Sequence, residues 1–326
     1  MKRLLKRAIS DWKDLQRNKT IPKERSRFLL FADYIYYVFK THITYSEYFE
    51  QYKFYTLSKA ERKEYITVSE AHRIEAKLNQ KVRDLFWKKD LFLTKFADFI
   101  KRDWISLASC TPEEFMRFCL AHPKFIVKPI AETRGTGVEL IETPQPGDAV
   151  KVYNEFAGKN FIAEQYIIAC KEFAEFNPDS LNTIRVVTYL NGDVFRIVGS
   201  FIRMGLPGFR VDNAHAGGIF AYVDVETGTV ASEGINTHGD RYEFHPGSKK
   251  RIPGFQIPGW KNVTDTCKRA ASIIPEAKII GWDVAIRNDY EVIIIEGNHM
   301  PDFDLMQSPS RKGIKKKFYD IIEVEK

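Results

Sequence analysis

Two carboxylates stand inside apolar stretches late in the sequence, and their spacing suggests a site. Asp283 occurs in WDVAI and Glu296 in VIIIEGN, with Asn288-Asp289 between these β-branched runs. This pattern predicts a β-hairpin with a two-residue loop. Because side chains alternate along a strand, a loop of two or four residues places Asp283, Glu296 and Asn298 on one face, and the four-residue loop sets the carboxylates directly opposite each other. A three-residue loop would separate them.

Carboxylates that converge beside an Ile-rich strand repel each other and lose hydration, so they need a cation or a proton. Two carboxylates and the amide oxygen of Asn298 suit Mg²⁺, which keeps several waters and takes phosphate oxygens as its other ligands. The alternatives are that a Lys or Arg neutralises the pair, or that the face is solvated.

The composition is that of a globular protein, with 44% hydrophobic and 13% aromatic residues in 326. Its four cysteines are widely spaced without a C-x-x-C pair, which argues against a zinc site or a disulfide framework and fits a reducing cytoplasm. No apolar run approaches the roughly 20 residues that cross a bilayer. The basic N-terminus is followed by Asp11 and Lys13 rather than by an apolar signal core. We therefore expect a cytoplasmic protein.

Positive charge is concentrated at the start of the chain. Residues 1–25 hold nine Lys or Arg and three acids, a net of 9 − 3 = +6 out of +7 for the whole chain. This distribution is unlike that of a nucleic-acid binder, whose basic surface follows its recognition element. Apolar residues between Leu4 and Leu15 recur at helical spacing among these cations. Such a helix either packs on its own domain or, through residues 1–20, associates weakly with an anionic membrane surface.

The texture of the sequence changes near Phe125. Residues 1–125 contain no Gly and read as mainly helical, with a helix start at Thr111-Pro112-Glu113-Glu114. Strand-like runs then alternate with turns: FIVKPI, NFIAEQYI, TIRVVTYL, VFRIVGSFI and GIFAYVDV. We expect helices at about 263–274 and 311–322 around the hairpin. The chain is therefore predicted to be α+β with antiparallel sheets.

A lysine inside a strand precedes a glycine turn and suggests phosphate binding. Lys128 lies in FIVKPI, and Gly135 and Gly137 follow in ETRGTG. Glycine amides can approach phosphate oxygens without obstruction by a Cβ atom. The sequence has neither a Walker A motif nor a G-x-G-x-x-G after a strand. A solvated lysine before an ordinary turn is the alternative.

The order of these features resembles the ATP-grasp superfamily: Lys89, then Lys128 with its glycine turn, then the Glu164-Gln165-Tyr166-Ile167 strand end, then Asp283 and Glu296-Gly297-Asn298. The segments NPDSLNTIRVVT and VDNAHAGGI are similar to the ATP-grasp group associated with sugar transfer and cell-surface polysaccharide synthesis. The resemblance covers roughly residues 79–307. It implies an α+β fold in which two subdomains grip ATP, here preceded by a mainly helical region.

The resemblance also implies roles for individual residues. Lys89 and Lys128 would contact phosphates, Gly135 and Gly137 would belong to a lid loop, and Glu172 would accept the ribose hydroxyls. Glu164, Gln165 and Ile167 would border adenine. Asp283, Glu296 and Asn298 would bind Mg²⁺. Arg134 departs from the pattern, because a smaller residue is expected in that loop.

Two arginines lie in apolar runs, where an unpaired guanidinium would be costly. Arg185 in TIRVV and Arg203 in FIRMG either pair with a structural acid or face a cleft. By the resemblance they join Asn182 as catalytic residues near the reacting phosphate, where an Arg fork suits developing charge. Asn182 could instead cap a strand. His215 is left out of the catalytic set.

The implied protein is an ATP- and Mg²⁺-dependent carboxylate-amine ligase that forms an amide through an acyl phosphate, in the synthesis of capsule or another surface polysaccharide. A sugar kinase and a non-catalytic nucleotide-binding subunit are the alternatives. Its substrates would be a small or sugar-linked carboxylate and an amine, such as a uronic acid or nucleotide sugar and an amino acid. The basic loop 234–260 would favour an acidic acceptor. The expected division is 1–78 helical, 79–165 small or lid subdomain, and 166–326 subdomain with the metal site.

Overall fold

The computed structural model describes residues 2–19, 21–131, 137–143, 145–208, 212 and 217–323. Its α-helices, numbered α1 to α13, are Lys2–Arg17, Arg27–Thr41, Lys59–Lys63, Val68–Leu78, Arg83–Trp87, Lys89–Lys95, Ala97–Ile100, Pro112–Ala121, Pro146–Phe156, Lys171–Ala174, Trp260–Ala271, Phe303–Gln307 and Lys315–Glu323. Its strands, numbered β1 to β11, are Trp104–Ser106, Lys124–Pro129, Glu139–Glu142, Phe161–Gln165, Ile184–Asn191, Val194–Met204, Ile219–Val223, Gly234–Ile235, Arg241–Tyr242, Ile279–Ile286 and Val292–Asn298.

The chain forms two compact units, Met1–Ala76 with Asp302–Lys326, and Lys77–Pro301. The first unit thus takes in the closing helices α12 and α13. The expected division of residues 79–326 at residue 165 into two subdomains stays a prediction.

Aromatic packing holds the first unit together. Helices α1 and α2 run antiparallel, with the Trp12 and Phe31 rings 5.0 Å apart and the Tyr34 hydroxyl donating to Asp11 at 2.7 Å. Leu15 is fully buried in this core. The N-terminal helix is confirmed, and Trp12 and Leu15 on its apolar side pack on its own unit. Among the described residues, no helix is both long and apolar enough to span a bilayer.

The second unit contains two antiparallel sheets. The small sheet has the strand order β1-β4-β2-β3 and the large sheet β11-β10-β5-β6-β7-β8-β9. Helix α8 begins where the sequence predicts, because Thr111 and Glu114 form a reciprocal capping box in front of it. The strands predicted from the five apolar runs are present as β2, β4, β5, β6 and β7. Strand β1 lies in the region that was expected to be helical.

The large sheet is the scaffold for the candidate site. Strands β5 and β10 are buried along nearly their whole length, because both of their faces are covered. Glycine in the EGN motif has a packing role: a Cβ atom on Gly297 would lie 2.8 Å from ring atoms of both Phe86 and Phe92. The absence of a side chain therefore lets α5 and α6 approach β11 closely.

Candidate functional site

The β10–β11 hairpin has a three-residue loop, so the prediction of a two-residue Asn288-Asp289 loop is wrong. The Arg287 amide donates to the Glu291 carbonyl at 2.9 Å, and the Tyr290 amide donates to the Arg287 carbonyl at 2.8 Å. Tyr290 adopts a left-handed conformation with φ 62°. The Asn288-Asp289 dipeptide does lie in the turn, but Tyr290 is a third residue of the loop.

A β-bulge nevertheless brings the two carboxylates together. Near the loop Val284 pairs with Ile294, and one step further Asp283 pairs with Glu296, so that Ile295 is an extra residue. A bulge shifts the register by one residue. The three-residue loop would have separated the carboxylates, and this shift reverses its effect.

Arg102 binds the backbone at that bulge. Its guanidinium donates to the carbonyl oxygens of Ile294 and Ile295, both at 2.8 Å, and to Glu164 Oε1 at 2.9 Å. One buried side chain therefore contacts both the bulged strand of the large sheet and strand β4 of the small sheet.

Charged side chains form a row across three strands of the large sheet. Asp283 on β10 is the register partner of Glu296 on β11 and of Arg185 on β5. Arg185 binds Asp283 with two nitrogens, one of them Nη2 at 3.1 Å from Oδ2, and Arg203 Nη2 lies 2.8 Å from the same Oδ2. Asp283 is thus paired with both arginines, as the ion-pair alternative had it.

The glycine at position 281 makes room for one of these arginines. A Cβ atom added to Gly281 would lie 3.0 Å from Arg185 Cδ and 3.3 Å from Arg185 Nη1. Gly281 is two residues from Asp283 and therefore shares its face of the sheet.

The two opposed carboxylates have pKa values that move apart. Burial alone would raise the pKa of Asp283, but Arg185 and Arg203 hold it well below its usual range. Burial and the charge of Asp283 raise the pKa of Glu296, and Lys128 and Arg203 only partly offset this. Glu296 therefore gains from a proton or from an added cation.

Arg203 continues the network on β6. Its Nε and Nη2 donate to Thr183 Oγ1 at 3.0 and 2.7 Å, and the Thr183 amide and hydroxyl both donate to Asp212 Oδ2 at 2.6 Å. Burial opposes the charged form of Arg203, but Asp283 and Asp212 raise its pKa. This arginine stays charged although it is buried.

A second ion-pair group lies on the small sheet. Lys128 on β2 has its Nζ 2.6 Å from Glu164 Oε2 on β4, and Arg102 occupies the other carboxylate oxygen. Although burial opposes it, the charges of Arg102 and Lys128 hold the pKa of Glu164 at about 2. The carboxylate of Glu164 is thus fully engaged within the protein, and its predicted place beside adenine stays a prediction.

The other residues of the expected adenine and ribose side lie along one segment. Gln165 Oε1 accepts from the Asp103 amide at 3.2 Å, and Ile167 is half-buried. The Tyr290 hydroxyl lies 3.0 and 3.1 Å from the two carboxylate oxygens of Glu172. The hydroxyl of Tyr290 therefore holds the carboxylate that the resemblance gives to the ribose.

Lys89, the first of the two lysines expected to bind phosphates, contacts the backbone just after the end of β2. Lys89 begins α6, where its backbone amide and its Nζ donate to the Ile130 carbonyl at 3.1 and 3.4 Å. Gly137 has φ 70°, and a Cβ atom there would lie 3.0 Å from Pro129 Cγ. Gly135, Arg134 and His215 lie outside the described residues. The roles of both lysines and of the lid glycines stay predictions.

The contacts of Asn182 favour the strand-cap alternative. Its side-chain amide donates to the carbonyls of Phe173, Asn177 and Ser180, and its Oδ1 accepts from the Gly205 amide at 3.0 Å. The residue is buried and left-handed, with φ 49°. Both polar atoms of this side chain form hydrogen bonds with backbone groups. The predicted catalytic role would require these hydrogen bonds to break.

The basic loop 234–260 is more ordered than its composition suggests. It contains β8 and β9, His245 is fully buried against the Gly205 carbonyl at 3.0 Å, and Lys250 pairs with Glu175 at 2.5 Å. These two basic residues have structural partners within the protein, so the acidic-acceptor role of the loop stays a prediction.

The oxygen ligands at the hairpin fit Mg²⁺, because this ion takes few of its ligands from the protein. Asn298 Nδ2 lies 3.4 Å from the Gly281 carbonyl, so its oxygen is the acceptor left for a cation beside the two carboxylates. Within the described ranges, no group of three or more His, Cys, Asp or Glu could hold a metal ion alone. Mg²⁺ commonly binds through one or two carboxylates together with substrate phosphates and water.

Three contributors to the site carried no assigned role in the sequence: Arg102, Thr183 and Gly281. The partners of Arg102 are 62 and about 190 residues away in the chain. No local pattern could have identified it. Asp212 occurs in the VDNAHAGGI segment, which marked its neighbourhood but not its contacts.

The carboxylate pair on adjacent strands of the large sheet and the buried lysine on the small sheet agree with the resemblance to ATP-grasp proteins. A family model described as sugar-transfer associated ATP-grasp matches residues 111–323, more than half of the chain. The chain therefore belongs to the sugar-transfer associated ATP-grasp family, and the predicted α+β ATP-grasp fold is confirmed. No curated protein matches it by sequence.

Solved structures similar to the chain are distant. The ATP-grasp ligase PsnB with its minimal precursor is 14% identical, with a TM-score of 0.45 over 78% of this chain and 68% of that chain. The D-alanine-D-alanine ligase from Coxiella burnetii is 11% identical, with a TM-score of 0.40 over 74% of this chain and 62% of that one. N5-carboxyaminoimidazole synthase from Aspergillus clavatus is 8% identical, with a TM-score of 0.42 over 71% and 51%. The chain thus spans less than two thirds of the last two.

Proposed function

We propose that this protein is an ATP- and Mg²⁺-dependent carboxylate-amine ligase in the synthesis of capsule or another surface polysaccharide. Membership of the sugar-transfer associated ATP-grasp family supports the class and the pathway. The observation that carries the proposal is the placement of Glu296 opposite Asp283, together with the pairing of Arg185 and Arg203 with the Asp283 carboxylate. This arrangement concentrates charge where a phosphoryl group with its cation would need it.

The reaction has two steps. The substrate carboxylate attacks the γ-phosphorus of ATP, which gives an acyl phosphate and ADP. The amine then attacks the acyl carbon, the C–O bond to phosphate breaks, and the amine loses a proton to give the amide. Positioning and charge stabilisation carry most of such catalysis.

The residues divide between these tasks. Lys89 and Lys128 would bind ATP phosphates, and Arg185 and Arg203 would stabilise charge on the transferring phosphoryl group. Asp283, Glu296 and Asn298 would hold Mg²⁺, which supplies compensation for phosphate charge when bound.

Asp283 holds both arginines in place through ion pairs. They would therefore need little rearrangement to act, which is what preorganised electrostatic catalysis requires. Glu172 would exchange the Tyr290 hydroxyl for the ribose hydroxyls.

Hydroxylamine trapping tests the activity. With ATP, Mg²⁺ and candidate uronic and amino acids, we expect hydroxamate to form, because hydroxylamine intercepts acyl phosphates. Glu296→Gln should abolish the product with little loss of thermal stability, whereas Glu243→Gln, at an exposed ion pair, should leave it unchanged. A phosphorylated sugar with ADP and no hydroxamate would instead establish the kinase alternative. Nucleotide binding without any product would establish the non-catalytic subunit.

A further inference from the structure

Helix α2 has an apolar surface on two opposite sides. Leu30, Tyr34 and Tyr37 face inward and are buried in the core of the first unit. A helix that is apolar all round is normally buried all round. The outward side of α2 therefore needs an explanation.

That outward side is exposed. Phe28, Leu29, Tyr36 and Phe39 are 71, 66, 54 and 72% exposed, and Ala32 lies exposed among them. We call these four large residues the outer stripe. Together with Ala32 they recur at spacings of three, four and seven positions, which places them along one side of the helix. Contiguous apolar exposure of this kind marks an interaction surface.

The helix that packs against α2 and the connection between the two helices are basic. Residues 1–25, which contain α1 and the connection to α2, have a net charge of 9 − 3 = +6, and seven of these cations are exposed: Lys6, Arg7, Lys13, Arg17, Lys19, Lys23 and Arg25. Next to the outer stripe, Lys40 Nζ lies 3.1 Å from the Tyr36 hydroxyl.

The acids of the two helices do little to offset this charge. Asp11 accepts from the Tyr34 hydroxyl, and Asp33 is paired with Arg62 at 2.6 Å. The third acid on α1 and α2 is Asp14, and it is exposed to solvent. An exposed apolar face on a helix that packs against a basic helix is complementary to an anionic lipid surface.

We propose that the outer stripe rests on a membrane surface that contains anionic phospholipids. Phe28, Leu29 and Phe39 would enter the boundary between headgroups and acyl chains, and the cations of α1 would face the lipid phosphates. This surface differs from the apolar side of α1, which already packs on its own unit through Trp12 and Leu15. The proposal is independent of the proposed enzyme activity.

Vesicle co-sedimentation of the full chain tests the proposal. We expect binding to vesicles of phosphatidylglycerol with phosphatidylcholine, weak binding to phosphatidylcholine alone, and weaker binding at high salt. Phe28→Ser with Phe39→Ser should lower the partition coefficient at least about tenfold, because two apolar side chains no longer insert. Lys6→Glu with Lys13→Glu should lower it by a similar factor.

Leu120→Ser is the matched control, because Leu120 is 74% exposed on a helix of the second unit. It should bind vesicles as the unchanged protein does. Far-ultraviolet circular dichroism and melting temperature verify that all variants fold, which their exposure favours. No binding of the unchanged protein to anionic vesicles at low salt would overturn the proposal. So would a dimer that the two Phe substitutions dissociate without any vesicle binding, because a second copy would then cover the outer stripe.

Discussion

Replacing Arg102 by Met should destabilise the second unit far more than the loss of an ordinary ion pair. Methionine keeps the apolar length of the side chain and removes only the guanidinium. That group makes three hydrogen bonds, at 2.8, 2.8 and 2.9 Å, to Ile294, Ile295 and Glu164. The substitution leaves two bulge carbonyls without this donor and leaves Glu164 with Lys128 as its cation.

The magnitude follows from those losses. Breaking a buried ion pair by removing one partner costs about 3–5 kcal/mol, because a buried charge is left uncompensated. Lys128 at 2.6 Å still neutralises part of the Glu164 charge, which argues for the lower end. The two lost bonds from a charged donor to carbonyls add roughly 1.5 kcal/mol each at the low end of their range. We therefore expect a loss of about 6 kcal/mol.

Urea unfolding followed by tryptophan fluorescence measures this loss, and Arg251→Met provides the control. Arg251 also contacts an acid and a carbonyl, Glu243 at 3.2 Å and Pro253 at 3.1 Å, but both charged side chains are exposed. Its replacement should cost no more than about 1 kcal/mol. Equal, small losses in the two variants would refute the role given to Arg102 at the bulge.

Three further substitutions test neighbouring parts of the site. Lys128→Met should weaken ATP binding by about tenfold or more in calorimetry, because a phosphate loses a charged donor; unchanged affinity would remove Lys128 from the nucleotide site. Gly281→Ala should cost roughly 1–3 kcal/mol by crowding Arg185, and a crystal structure with Arg185 unmoved would contradict this. Folding lowers the Glu164 pKa from 4.5 to about 2, so its contribution of about 3 kcal/mol is present above pH 4.5 and lost as pH falls through 2; acid unfolding should be less steep in Glu164→Gln.

The sequence predicted that the hairpin brings its two carboxylates together, but it did so from a loop length that the structure does not have. Alternation of apolar residues identified β10 and β11, and Asn288-Asp289 identified the turn. Loop length could not be read from these residues, because a left-handed Tyr at position 290 is unusual for a bulky side chain. The bulge at Ile295 has no local signature either, since the guanidinium that binds its carbonyls belongs to Arg102, which is distant in the sequence.

The arginines show a similar limit. Their position in apolar strands predicted a partner or a cleft, and the partner is Asp283 for both. Choosing that acid among the 43 Asp and Glu residues requires the strand order, in which β10 lies beside β5. Short-range patterns fix the elements, whereas strand order is set by contacts across the whole chain.

Charge balance in the two linked ion-pair groups bears on what can bind there. Four cations and four carboxylates take part, a formal sum of zero: Arg102, Lys128, Arg185 and Arg203 with Glu164, Asp212, Asp283 and Glu296. A polyanion that entered alone would add uncompensated charge to a buried, self-neutralised network, which is costly in a medium of low dielectric constant. A nucleotide that brings its own divalent cation avoids this cost.

The raised pKa of Glu296 gives a prediction about pH. Cation binding should displace a proton from this carboxylate, so we expect the affinity for Mg²⁺ with nucleotide to rise with pH above the ordinary Glu value. Calorimetry in buffers of different ionisation enthalpy would detect that proton, and Glu296→Gln should remove it.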